Sequence, residues 1–162
     1  MGVIPDQRQR EETAYHEAGH AVACYVLKYV FEEVSIIRGE GFEGKLYANG
    51  IPEDLKERLV QKEILSPVDT KLIHEYIIIS WAGFASEYRF TGKPNLDGST
   101  RDLRLAYLLA FHLDRPDKEY EEEAKELIYS NWKKVEAVAQ ALLESQTLTA
   151  QQVQEICETP IG

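Results

Sequence analysis

Residues 13–21 read TAYHEAGHA, and within that stretch His16, Glu17, Ala18, Gly19 and His20 spell H-E-x-x-H. On a helix, side chains four apart lie one turn, about 6 Å, apart on one face, so both imidazoles can converge on a single zinc ion without leaving their rotamers. Glu17 projects beside them, where its carboxylate can take a proton from metal-activated water instead of ligating the metal. That is a metallohydrolase arrangement. A chain of this composition holds such a motif by accident roughly one time in eighty, so its context has to carry weight. Gly19 supplies some, because glycine inside a helix costs about 1 kcal/mol relative to alanine and points to close approach of another element.

Working outward, Pro5 and Asp6 with apolar residues at helical spacing from Ala14 to Val26 predict a first helix over about 5–28. Val34 to Arg38 and Lys45 to Gly50 then predict two strands joined by a glycine-rich loop. Gly39, Gly41 and Gly44 happen to spell G-x-G-x-x-G, but the loop carries Glu40 and Glu43 and leads into a strand, where a dinucleotide site needs a helix N-terminus. A short helix is expected over 53–65. Ser66 and Pro67 start a long one buried on most sides through Phe90, and Thr91 to Gly98 form a loop. Ser99 or Thr100 caps a fourth helix to about Leu113, Asp114 and Pro116 begin a fifth reaching about Ser145, and Thr149 with Gln152 caps a last short one. The fold class is therefore mainly α, an α+β chain with a small sheet or hairpin after the first helix, read as a single domain over 1–162.

The 162 residues carry 18 Lys and Arg against 28 Asp and Glu, a formal charge of -10, so no field gathers phosphate backbones and nucleic acid is excluded as a partner. The longest nearly uncharged apolar run, Tyr76 to Ala85, is about half of what a membrane span needs. The first residues show no signal-peptide pattern, and Asp6 stands where a myristoylation site at Gly2 would want Ser or Thr. Cys24 and Cys157 make no disulfide framework, which fits a reducing cytoplasm. The acidic run Glu119 to Glu126 reads as the solvated start of the fifth helix.

A catalytic zinc takes three protein ligands and keeps a position for water. No His lies between His20 and His74, and Cys24, eight residues after His16, is about 12 Å along the helix and reads as core. His74 and His112 read as packing or surface histidines. The third ligand then falls among Glu75, Glu87, Asp97 and Asp102. Glu87 ends an otherwise buried run and needs a partner there, while Asp102 in Ser99-Thr100-Arg101-Asp102 also reads as a capping box. Spacing does not choose between them.

Thr13 to Ala21 resembles the peptidase domain of the FtsH family of ATP-dependent zinc proteases. So do Val34 to Gly39 (VSIIRG), Ala82 to Glu87 (AGFASE), Gly98 to Leu103 (GSTRDL) and the closing helices with Ala124 to Leu127 and Val135 to Leu148, covering about residues 10–157. This resemblance implies a helical zinc metalloprotease fold, with His16, His20 and Asp102 as metal ligands, Glu17 as general base and Glu87 orienting a ligand histidine. The implied substrates are peptides or unfolded chains, held along an edge near Lys45 to Asn49. Family members also carry a membrane segment and an ATPase module and assemble as hexameric rings. Here the chain starts about fifteen residues before His16, so the expectation is an ATP-independent domain acting alone, as a homo-oligomer or with a separate ATPase. Phe84, Tyr88 and Arg101 replace the family's arginine, glutamate and asparagine. Those departures keep open a second reading, a noncatalytic zinc-stabilised module that binds a protein partner.

Overall fold

Asp6 starts the first helix, α1 (Gln7–Leu27), through a reciprocal capping box. Its carboxylate accepts from the Gln9 amide at 2.7 Å, and the Gln9 side chain accepts from the Asp6 amide at 3.2 Å. Lys28, left-handed at φ 59°, ends it. From His16 to Cys24 every residue is buried. That all-round burial explains the small side chains Ala18, Gly19, Ala21 and Ala23, since α1 is enclosed by neighbours on both sides rather than lying on a surface. A computed structural model describes residues 6–39 and 44–160, apart from the side chains of residues 97 and 98. Pro5, Gly2, Glu40, Gly41 and Glu43, invoked above, lie outside the described residues, as does the Asp97 side chain.

The sheet follows as β1 (Phe31–Ser35) and β2 (Lys45–Ala48), an antiparallel pair with Val34 opposite Leu46. The first strand starts three residues earlier than its β-branched run indicates and stops at Ser35. After β2 come α2 (Glu53–Val60), α3 (Pro67–Thr91), α4 (Leu96–His112), α5 (Asp117–Ser130) and α6 (Trp132–Ser145), then β3 (Thr147–Thr149) and α7 (Ala150–Glu158). β3 was not expected. It pairs antiparallel with β1 on the side away from β2, giving the order β2-β1-β3, and Ser35 Oγ meets Thr147 Oγ1 at 2.8 Å. The described residues are thus mainly helical with one small antiparallel sheet, as the α+β reading has it.

Three helix boundaries differ from expectation, the first being that of α2, which stops at Val60 rather than near residue 65. The fourth helix begins at Leu96, so Ser99 and Thr100 lie within it. Ser99 is buried, the Thr100 hydroxyl donates to the Leu96 carbonyl at 2.9 Å, and Asp102 is no capping residue. The expected fifth helix is two, broken at Asn131, whose side-chain amide donates to the Leu127 carbonyl at 2.8 Å while its backbone leaves helical geometry at φ -117°, ψ 24°. A short polar side chain competing for a backbone acceptor is the physical cause.

Two apolar clusters hold the molecule. One joins α1, α6, α7 and the sheet through Val22, Val34, Val138 and Leu142; the other joins α2, α3, α4 and α5 through Leu55, Ile77, Leu103 and Ala124. Leu27 and Leu127 pack against both. Between them α1 and α3 run antiparallel at very close range. Ser86 donates to the Tyr15 carbonyl, Tyr15 stacks on Phe90 at 3.9 Å, and a Cβ at Gly19 would meet Ser86 Cβ and the Ala82 carbonyl. The interior glycine is the price of that approach. Among the described residues no helix is long and apolar enough to cross a membrane.

Candidate metal centre

The α1–α3 contact places His16 and His20 directly against Gly83 of α3, where a Cβ would run into both rings. His20 Nδ1 lies 2.7 Å from the Ile79 carbonyl. A carbonyl only accepts, so the His20 proton sits on Nδ1 and the Nε2 lone pair faces away from α3. His16 Nδ1 lies 3.3 Å from Glu87 Oε1, close enough for an ion pair though not aligned as a hydrogen bond. The second Glu87 oxygen accepts from Asn95 Nδ2 at 2.7 Å. The buried carboxylate thus has the partners its setting demands.

Both Nε2 atoms point at Asp102, which α4 delivers from 82 residues beyond His20. His16 Nε2 is 2.7 Å and His20 Nε2 3.1 Å from Asp102 Oδ2, and the two nitrogens are 3.1 Å apart. Tetrahedral zinc with bonds of about 2 Å needs its ligand atoms roughly 3.3 Å apart, so a slight opening of the triangle seats the ion. With the His20 proton given to the Ile79 carbonyl and the Glu87 carboxylate favouring a proton on His16 Nδ1, two imidazole lone pairs and the Asp102 oxygen face one point, an arrangement that repels itself without a cation. The charges around the cluster express the same demand. Burial lowers the His16 pKa, but the Asp102 carboxylate, which accepts from Nε2, and the Glu87 carboxylate beside Nδ1 outweigh it and hold the group well above its usual value. Burial lowers His20 too, and Asp102 more than reverses it. Asp102 itself is driven far below the usual carboxylate range because the two imidazoles overcome its own burial. Among the described residues this is the one group of three such side chains placed to share a metal.

Glu17 is 6% exposed, and its Oε2 has no hydrogen-bond partner. Burial raises its pKa, partly offset by the neighbouring histidines. It lines, with His20 and Asp102, a groove of about 190 Å³ bounded on one side by Gly44 to Leu46 and Ala48 to Gly50 and on the other by Tyr76, Ile79 and Ser80. A Cβ at Gly44 would press on Glu17 Cγ and Thr13, so glycine there lets the start of β2 pass over the base.

Of the acids that spacing left open, Asp102 reaches the histidines and Glu87 stands one contact behind. Glu75 instead pairs with Lys71 at 3.6 Å. His74 bonds Glu123 and Arg115, and Cys24 lies in the core, as both were read. Sequence reasoning missed Gly83, the Ile79 carbonyl and Asn95. Gly83 had a signal in the small-residue run Ala82 to Ala85; a backbone acceptor has none.

No protein-family model matches the chain. It is 28% identical over 116 residues, 69% of its length, to the ATP-dependent zinc metalloprotease YME1L of Drosophila melanogaster. It is 26% identical, over 94% of its length, to the ATP-dependent zinc metalloprotease FtsH of Oenococcus oeni. The chain is distantly similar to zinc metalloproteases. It spans 14% and 26% of the lengths of these two relatives.

Proposed function

We propose that residues 1–162 form a zinc-dependent endopeptidase domain that hydrolyses peptides or unfolded chains. The convergence of His16 Nε2, His20 Nε2 and Asp102 Oδ2 beside Glu17, whose Oε2 has no hydrogen-bond partner, carries this reading. His16, His20 and Asp102 would hold zinc, which supplies Lewis-acid chemistry when bound, acidifying water and polarising a peptide carbonyl. Glu17 takes the proton of the attacking water and returns it to the leaving amine, a task its raised pKa suits. Glu87 holds the His16 ring from the far side. Among the described residues β2 is an edge strand, and its Lys45, Leu46 and Ala48 line the groove, so an extended substrate adds to it through backbone hydrogen bonds and passes Glu17.

Zinc per chain, measured by elemental analysis after dialysis against a weak chelator, tests the metal site. About one zinc in the wild type, lost in His16→Ala and Asp102→Ala, is the expected result. Zinc retained in Asp102→Ala would move the third ligand elsewhere, and no zinc in the remetallated wild type would overturn the reading.

A further inference from the structure

Glu87 faces two elements at once. Oε1 lies 3.3 Å from His16 Nδ1 on α1, and Oε2 accepts from Asn95 Nδ2 at 2.7 Å. Asn95 is the residue immediately before α4, the helix that brings Asp102 to the histidines. We propose that Asn95 is a positioning residue for the metal centre, clamping the start of α4 to the carboxylate that orients His16, so that two metal ligands from distant parts of the chain are set by one buried side chain. The inference rests on the metal reading above.

A carboxylate held on one oxygen by a short bond has its plane fixed, so the other oxygen stays on His16 Nδ1 and the Nε2 lone pair stays on target. The same bond ties α4 to α3 through a contact at Asn95, and from there α4 runs seven residues to Asp102, about two helical turns. Removing the amide frees the carboxylate and loosens the end of α4 nearest Asp102. Glu87 is 7% exposed, so water cannot fully replace the lost donor.

The test is zinc affinity by competition with a chromophoric chelator in the wild type, Asn95→Ala, Glu87→Gln and the double variant, with circular dichroism to check that each is folded. Each single substitution is expected to weaken zinc binding by about tenfold or more. The double variant should be no weaker than Glu87→Gln alone, because both act through one carboxylate. The visible absorption of the Co²⁺-substituted protein should change in both single variants, a signature that general loosening of the loop does not produce. Lys93→Ala, in the same loop, should bind zinc as the wild type does. Equal affinity of Asn95→Ala and wild type, or strictly additive losses, overturns this inference and leaves the metal site standing. A wild type that binds no zinc overturns both.

Discussion

His20 gives its Nδ1 proton to the carbonyl of Ile79 at 2.7 Å, and that bond decides which nitrogen is left for chemistry. The acceptor is backbone on a helix packed tightly against α1, so the ring cannot turn without separating α1 from α3. Gly83, one turn further along α3, makes room for the imidazoles.

Gly83→Ala is therefore expected to damage the centre and the fold together. Its methyl would meet His20 Cε1 at 2.6 Å and His16 Nε2 at 2.8 Å. Overpacking of this kind costs about 1–3 kcal/mol. Urea unfolding and zinc analysis should show lower stability and less than one zinc per chain. Gly50→Ala, where an added methyl meets nothing within 4 Å, is the matched control and should keep its zinc. A Gly83→Ala protein with wild-type zinc content would show that the rings do not depend on this contact.

The α3–α5 junction should carry an acid-sensitive contribution. Glu123 accepts from His74 Nε2 at 3.0 Å and from Arg115 Nη2 at 3.0 Å. Burial raises its pKa, but these two donors outweigh burial and leave it below its usual value. A depressed carboxylate pKa adds stability above the unfolded value, and that stability is lost as pH falls through the folded value. Because Glu123 is half exposed, the contribution is under about 1 kcal/mol, or a few degrees in Tm. Glu123→Gln should melt a few degrees below wild type at pH 7, with the gap closing on titration below pH 4.5. A gap that persists at pH 3 would place its origin elsewhere.

Neither cysteine should behave as a reactive thiol. Burial, with Glu75 adding to it, pushes Cys24 up to about 12, and burial pushes Cys157 up to about 11. Attack by a thiol needs the thiolate, so a chromogenic disulfide reagent at pH 8 should label the native protein very slowly and both cysteines promptly in denaturant. Prompt labelling of one thiol in the native state would contradict its place in the core.

What the sequence disclosed followed the range of the interactions. His16, Glu17 and His20 are neighbours on one helix, and the cost of Gly19 points to a close approach there, though only the fold shows that α3 makes it. Asp102 joins them from 86 residues after His16, and a carboxylate in S-x-x-D reads equally as a cap; only the resemblance selected it, and only the fold shows why capping fails, since α4 has already begun at Leu96. β3 escaped because Thr147 to Thr149 is three residues long and its last residue, Thr149, also caps α7. The break at Asn131 escaped because one side-chain hydrogen bond, invisible to hydrophobic periodicity, ends an otherwise continuous helical pattern.

The proposed hydrolysis depends on Glu17 as its base. Glu17→Gln keeps the size of the side chain and removes its ability to take a proton, so the variant should keep about one zinc per chain and the wild-type circular dichroism spectrum. Its cleavage of a denatured protein substrate should fall by about a hundredfold or more relative to wild type. Zinc retained with cleavage abolished is the predicted result; zinc retained with cleavage at the wild-type rate would contradict the assignment of Glu17 as the base, and with it the proposed mechanism.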